Sequence, residues 1–205
     1  MKNLSNIYLK KHQDTYKSFQ LNKGESIAVY KDEPLELCLL VLQDNVHVKI
    51  DLKEPQASCQ IHCVYLMGEQ QKVQICLDVN HEAKQTKSVQ LIRGIATHQS
   101  EMKFDGIIRM PQDSQKCIGI QNHRAILLSD KATVQSTPEL EIYADDVQCT
   151  HGSAIGPLDK EQVFYLTSRG IEEKQAYYLL LSSFLNDLLP LEVQSIAMAC
   201  LHDYI

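Results

Sequence analysis

Apolar and polar residues alternate in short segments that recur about every ten residues over the first three-quarters of the chain. Residues 45–52 are typical, with one face made of Val46, Val48, Ile50 and Leu52. A period of two indicates β-strands with one buried face. Because no helical pattern separates these segments, we predict that the chain is all-β as far as residue 156.

The same alternation predicts further strands. Two of them share a face through residues 61–65 and through residues 73–79. The remaining predicted strands cover residues 26–31, 35–42, 86–97, 102–110, 125–129, 140–144 and 147–150. Alternation alone does not separate a β-sandwich from a β-solenoid, and because no short repeat is visible, the pattern by itself favours a sandwich.

The period changes to that of α-helices after Pro157. Asp159, followed three residues later by Gln162, has the capping-box spacing of a helix start, and Gly170 is a typical residue just past a helix end. Pro190 ends a second helix and suits the first turn of a third. The three predicted helices span about residues 160–169, 172–189 and 191–202.

The helical segment, residues 157–205, is too short to bury a large core alone. We therefore expect it to pack against the β region or against a partner. On the second helix, the spacing of apolar residues predicts a packing stripe of Ala176, Leu179, Leu180, Ser183, Phe184 and Leu188.

Charge and composition narrow the function classes. The formal net charge is −6, and the low content of basic residues predicts no nucleic-acid partner. The longest apolar run, residues 37–42, is far shorter than the roughly 20 residues of a membrane-spanning helix, so we expect no membrane partner. Because the seven cysteines are irregularly spaced and no signal peptide precedes them, we expect reduced thiols and a cytoplasmic location.

Candidate metal chemistry depends on cysteine and histidine spacing. Cys59 and Cys63 lack the spacing of a zinc knuckle, and we expect them to be buried structural cysteines. Cys149 and His151 lie two apart on a predicted strand, so their side chains leave the same face. A thiolate beside an imidazole suits iron or zinc, but two ligands do not complete a site. Spacing alone leaves both a metal or sulfur role and a structural role open for this pair.

Several sequence blocks together carry a family resemblance. The blocks are residues 90–94 (QLIRG), 102–106 (MKFDG), 127–130 (LLSD), 137–152 (TPELEIYADDVQCTHG) and 164–171 (FYLTSRGI). Their order and spacing closely resemble the SufB/SufD family of iron–sulfur cluster assembly scaffolds. The acid pair before Cys-Thr-His-Gly is similar to the SufD branch, whose usual form is Cys-Ser-His-Gly, so the chain resembles a short form of that branch.

This resemblance implies a mainly β fold, a right-handed parallel β-helix followed by a small C-terminal α-helical segment. That expectation replaces the sandwich suggested by periodicity. It divides the chain into a β-helix core, residues 1–156, and a helical segment, residues 157–205. In such a solenoid, inward residues of successive turns stack into one aliphatic core, so short alternating strands suffice.

The resemblance also implies a function. The chain would be a non-catalytic scaffold subunit that pairs with a SufB-like subunit and binds a SufC-like ATPase through its helices. His151 would contribute to the cluster or metal site at the subunit interface, the partner supplying the other ligands. Cys149 would be either a second ligand or a core residue. No tightly bound cofactor is expected, only a transient iron–sulfur cluster or iron.

Five residues of the helical segment are expected to face a partner: Phe164, Tyr165, Arg169, Tyr177 and Phe184. An alternative is a homodimeric β-helix interaction module that has lost the cluster-assembly role. A second alternative, a β-helix carbohydrate-active enzyme, would need carboxylates converging on one sheet face, and no such cluster is visible in the sequence.

Overall fold

The structure is a computed structural model that describes residues 6–12, 15–18, 20 and 26–204. The strands are β1 (Ile7–His12), β2 (Thr15–Ser18), β3 (Ser26–Val29), β4 (Leu35–Val41), β5 (Val46–Leu52), β6 (Ser58–Met67), β7 (Lys72–His81), β8 (Lys87–Ala96), β9 (Glu101–Met110), β10 (Ile118–Leu127), β11 (Thr133–Ile142) and β12 (Gln148–Pro157). The helices are α1 (Lys160–Thr167), α2 (Glu173–Asn186) and α3 (Leu191–His202).

From β3 onward the chain alternates between two sheets and adds one strand to each in turn. The first sheet has the order β12-β10-β8-β6-β4-β1-β2, and the second has the order β11-β9-β7-β5-β3. All pairs from β3 to β12 are parallel and in register. This is a parallel β-solenoid of about four turns, which confirms the predicted β-helix. The antiparallel pairing of a sandwich does not occur between any two of the strands β3 to β12; the antiparallel strand pairs in the described part of the chain involve β1.

The corners of the solenoid repeat in structure rather than in sequence. Gln56, Gln85 and Lys116 occupy equivalent corners of successive turns, and each has a positive φ between 60° and 69°. Their backbone N–H groups donate to carbonyls in the next turn, for example from Gln85 to Gln115 at 2.9 Å. These left-handed residues are not glycines, so the corners left no glycine signal in the sequence.

The interior of the early turns is aliphatic. Leu39, Ile50, Ile75 and Leu77 have no exposed surface and belong to one continuous core cluster between the two sheets. Burying a side chain of this kind contributes roughly 1.5–3 kcal/mol. The inward faces predicted for β5 and β7 are confirmed, and the stacked aliphatic columns stabilise the solenoid without tryptophan.

The strands predicted near the end of the β region were too short. The alternation predicted strands at residues 125–129, 140–144 and 147–150, whereas β10, β11 and β12 each run for ten residues. These strands carry polar residues on their inward faces, which obscured the alternation. The amino-terminal residues form two further strands where they are described, β1 and β2.

The helical segment packs on the outer face of the first sheet. Leu40 and Ile95 on that face are buried against Leu185 and Leu201 in a second apolar cluster. The expectation that the helices need the β region is therefore confirmed. The helices and the sheet share this cluster. The division of the chain into a β-helix core, residues 1–156, and a helical segment, residues 157–205, therefore stays a prediction. Among the described residues, no helix combines the length and apolar character needed to cross a membrane.

Local sequence signals fix the helix ends but not the buried face of α2. The Asp159 carboxylate accepts the backbone N–H of Glu161, as its N-cap position predicts, and Gly170 has φ 88° just beyond α1. The predicted stripe is partly wrong, because Leu179 and Ser183 are exposed. The buried residues of α2 are Ala176, Leu181, Ser182 and Leu185. α2 therefore carries apolar residues at helical spacing on two faces. The face that packs against the sheet and α3 is only partly the one that the spacing predicted.

Candidate functional site

The motif that carries the resemblance lies on β12, the last strand of the first sheet. Among the described strands, β12 pairs only with β10, which places His151 opposite Gln121 and Ser153 opposite His123. In-register partners on parallel strands point to the same face of the sheet. Because Gln121 and His123 are buried inside the solenoid, His151 and Ser153 extend that inward face at the open end of the molecule.

His151 is exposed, whereas Cys149 is partly buried. The Cys149 side chain packs against a small buried cluster of Ile108, Met110 and Cys117. Burial raises the pKa of the Cys149 thiol, so the protonated thiol is favoured in the isolated chain. A thiol must lose its proton to bind iron, so Cys149 in the isolated chain is set up for packing more than for ligation.

The two predicted ligands do not form a complete metal site by themselves. Within the described part of the chain, no group of three or more His, Cys, Asp or Glu side chains converges well enough to hold a metal ion. His151 and Cys149 lie near one another on β12, as the sequence predicted, and Asp145 and Asp146 are exposed in the turn that precedes the strand.

Sequence reasoning missed the polar lining of the solenoid beneath this end. Tyr65, on β6, hydrogen-bonds through its hydroxyl to Nε2 of His123 at 2.9 Å, and Nδ1 of His123 is 2.9 Å from the hydroxyl oxygen of Ser136 on β11. Burial, with a smaller contribution from the charge of Arg93, lowers the pKa of His123 to about 4. His123 is therefore neutral, and it links the buried Tyr65 to the half-buried Ser136 of the last turn.

Glycines make room for this lining. A Cβ on Gly94 would lie 1.7 Å from Cζ of Tyr65, and a Cβ on Gly106 would lie 2.4 Å from Nε2 of Gln121. Each glycine thus leaves space that a large polar side chain fills. A large polar residue beside a glycine was the one signal in the sequence that could have identified these positions. The glycine lies on the neighbouring strand for Tyr65 and on the opposite sheet for Gln121, so the signal is visible only once the register is known.

The residues predicted to face a partner divide into two groups. Phe164 and Tyr165 on α1 are 72% and 55% exposed, and the Arg169 guanidinium lies 4.4 Å from the Tyr165 ring centre. Tyr177 is half-buried on α2. Phe184 packs against the second apolar cluster and lies 5.6 Å from the Arg93 guanidinium. Phe184 therefore helps to attach α2 to the sheet.

Comparison with known proteins identifies the family. Residues 24–184 match the family described as SUF system FeS cluster assembly, SufBD core domain. The chain belongs to the SufBD family. SufD of Escherichia coli is 36% identical over 110 residues, which cover 54% of this chain and 26% of that protein. SufD of Bacillus subtilis is 32% identical over 105 residues, covering 51% of this chain and 24% of that protein.

A plant relative covers more of the chain. The protein ABCI7, chloroplastic, of Arabidopsis thaliana is 34% identical over 141 residues, covering 68% of this chain and 29% of that protein. The matched regions thus span about a quarter of the length of these relatives. The resemblance to the SufD branch of the family is confirmed.

Proposed function

We propose that this chain is a non-catalytic scaffold subunit of a Suf-type complex, whose open end pairs with a SufB-like subunit. The observation that carries the proposal is the open end itself. β11 and β12 end their sheets with no further described strand beside them. An unpaired strand edge presents backbone N–H and C=O groups that another strand can bind.

The side chains at this end suit a protein partner. Ile142 and Ile155 are each 38% exposed, and Tyr143, which follows β11, is 71% exposed. Apolar and aromatic residues next to unpaired backbone are typical of the centre of an interface. We call the outer edges of β11 and β12, with these three side chains, the open-end surface.

The nascent iron–sulfur cluster is the substrate that this interface would hold. His151 offers an imidazole nitrogen at the open-end surface, and iron binds imidazole and thiolate ligands. Because the described residues do not supply a complete ligand set, we propose that the SufB-like subunit contributes the remaining ligands. Cys149 would join them only if pairing with the partner lowers the pKa of its thiol.

The α1 surface is the proposed contact for a SufC-like ATPase. Phe164 and Tyr165 are exposed on α1, and the Arg169 guanidinium just beyond the helix lies over the Tyr165 ring. Aromatic residues and arginine are enriched in the cores of protein interfaces. We place Tyr177 at the edge of this contact and assign Phe184 to the attachment of α2.

Anaerobic co-expression with SufB-like and SufC-like proteins tests this proposal. We expect a stable complex that contains iron and sulfide, and we expect His151→Ala to lose most of the iron while the complex stays intact. His47→Ala is the matched control, because His47 is also exposed but lies on the outer face of β5, far along the sheet from the open end. Iron retained in full by His151→Ala contradicts the assignment of His151.

The ATPase contact has its own test. Phe164→Ala combined with Tyr165→Ala should reduce co-purification of the ATPase, whereas Tyr30→Ala should not. Tyr30 is a suitable control because it is 46% exposed and lies near the opposite end of the solenoid. If the chain instead elutes as an iron-free homodimer in the presence of both partners, the scaffold proposal is wrong and the homodimeric interaction module is correct.

A further inference from the structure

Two buried glutamines form an amide ladder inside the solenoid. Gln90 on β8 and Gln121 on β10 are in-register partners and have 0% and 1% exposed surface. Nε2 of Gln121 donates to Oε1 of Gln90 at 2.9 Å. Stacked glutamine side chains on successive parallel strands form such ladders because each amide donates to the one below and accepts from the one above.

Each end of the ladder has an amide atom without a hydrogen-bond partner. Nε2 of Gln90 and Oε1 of Gln121 are buried without a hydrogen-bond partner. On the inner side, the residue in register with Gln90 is Ile61, which has no polar atom to offer. On the outer side, the residue in register with Gln121 is His151. A buried carbonyl oxygen without a donor destabilises the folded state, so an unpaired oxygen one strand below a histidine requires an explanation.

A glycine on the opposite sheet leaves room for the side-chain amide of Gln121. Gly106, on the opposite sheet, leaves room that a Cβ would fill, since that atom would lie 2.4 Å from Nε2 and 2.6 Å from Oε1 of Gln121. The same glycine faces Pro138 in the last turn, which has no N–H to offer to the ladder. On the outer side of Gln121, His151 is the in-register residue with a side-chain N–H to offer.

We propose that Gln121 is a positioning residue for His151. One ring N–H of His151 donates to Oε1 of Gln121, which leaves the lone pair of the other ring nitrogen for iron. Histidines that bind metals usually donate their second nitrogen to an acceptor, and this contact fixes both the tautomer and the ring orientation. The inference rests on the proposed function, because it assigns to His151 the role of a cluster ligand.

The exposed position of His151 makes the contact available. Its side chain is exposed at the edge of the sheet, in register with Gln121 and on the same face of the sheet. Once the partner covers the open-end surface, Gln121 and His151 are both shielded from water. The hydrogen bond then gains strength, because an unpaired polar group is more costly in a site without solvent.

The tautomer of His151 in the isolated chain is the direct test. We would label the histidine rings with nitrogen-15 and record their two-bond proton–nitrogen correlations at roughly pH 8.5, well above the ordinary histidine pKa. The His151 signals are assigned by their loss in His151→Ala. We expect one dominant tautomer in the unmodified chain and two populated tautomers in Gln121→Met, which keeps the side-chain volume and removes the acceptor oxygen.

Three variants separate positioning from simple stability. Gln90→Met removes an equally buried member of the ladder one strand further in, and it should leave the His151 tautomer unchanged. Gln121→Glu keeps an acceptor oxygen and should retain the dominant tautomer. Gly106→Ala displaces the Gln121 amide without altering either residue, and it should reproduce the effect of Gln121→Met, which covers the case that Gln121→Met fails to fold.

Iron content of the complex supplies the second measurement. Loss of an acceptor that orients a metal-binding histidine typically weakens metal binding by roughly tenfold or more, so Gln121→Met should release iron that Gln90→Met retains. Two populated tautomers in the unmodified chain, or one dominant tautomer that survives in Gln121→Met, overturns the inference. Failure of the proposed function is distinguished by iron that remains after His151→Ala, whatever the tautomer.

Discussion

The two ends of the solenoid treat their strand edges differently. At the first end, β1 pairs antiparallel with β4 and is followed by β2 in a hairpin, so the first parallel strand of that sheet is covered. At the last end, β11 and β12 have no such cover among the described strands. Proteins normally protect an exposed edge against unwanted pairing. In the first sheet the edge is covered at one end and uncovered at the other, whereas β3 and β11 both end the second sheet among the described strands. The uncovered edge of β12 supports the proposal that a partner binds at this end.

The interior changes along the same direction. The inward faces of β5 and β7 are aliphatic, whereas β8 and β10 carry Gln90, Gln121 and His123 inside the solenoid. A buried polar side chain stabilises less than an aliphatic one of similar volume, so the later turns give up stability. The early turns therefore favour stability, whereas the polar lining of the later turns lies beneath the proposed open-end surface.

The largest expected effect concerns the glycine that accommodates Tyr65. Gly94→Ala places a Cβ 1.7 Å from Cζ of a ring with no exposed surface, so the free energy of unfolding should fall by more than about 3 kcal/mol. Chemical denaturation measures the change. Gly156→Ala on β12 is the control, because no atom lies within 4 Å of its added Cβ. Equal losses for the two variants would contradict the contrast between a filled interior and an open end.

Substitution of one buried and one exposed isoleucine tests the same contrast with a smaller expected effect. Ile75 is fully buried, whereas Ile155 is 38% exposed at the open-end surface. Ile75→Ala should cost about 3 kcal/mol of unfolding free energy, since it removes a buried side chain and leaves a cavity. Ile155→Ala should cost less than about 1 kcal/mol in the isolated chain and should weaken binding of the SufB-like subunit. A cost for Ile155→Ala equal to that for Ile75→Ala would show that this end is already closed.

Acid should destabilise the chain through its buried histidines. Burial lowers the pKa values of His81 and His123 to about 4, below the ordinary value of 6.5. Between these values the unfolded state binds more protons than the folded state, so stability present above pH 6.5 is lost as the pH falls. We expect a loss of about 2 kcal/mol per histidine between pH 7 and pH 5.

Urea unfolding measures this loss when it is recorded at both pH values for the unmodified chain and for single variants. His123→Gln should remove about 2 kcal/mol of this loss. A full pH dependence in His123→Gln would mean that His123 is not kept neutral by the fold.

The smallest effect on folding is expected at the open-end surface. Ile142→Lys places a charge on an exposed position of β11, so the free energy of unfolding should change by less than about 0.5 kcal/mol. The same variant should weaken binding of the SufB-like subunit at least tenfold, measured by titration with the purified partner. Tyr30→Lys, near the first end, is the control and should bind normally; equal weakening by both would remove the distinction between the ends.

The sequence predicted the early turns well because their inward residues are aliphatic and alternate cleanly. Periodicity alone favoured a sandwich, since turns of about 30 residues share register without sharing residues, and their corners use Gln56, Gln85 and Lys116 where glycine would be expected. The family resemblance corrected that expectation. On β8 the alternation is misleading, because Leu91 and Ile95 face outward beneath the helices while Gln90 faces inward.

The candidate site was predicted as a pair of residues but not as a surface. The two-residue spacing of Cys149 and His151 indicated a shared face. It did not indicate that β12 would be the last strand of its sheet, or that Gln121 and His123 would lie beneath it. Those facts depend on register between strands 30 residues apart, which local sequence patterns do not encode.

Amide hydrogen exchange of the chain alone and in complex with the SufB-like subunit tests the central claim most directly. Strand pairing protects backbone N–H groups, and the effect is read peptide by peptide. We predict new protection in β11 and β12 and unchanged exchange in β1 and β2. Protection gained at the first end, with β11 and β12 exchanging as in the isolated chain, would contradict the assignment of the open-end surface as the site of assembly.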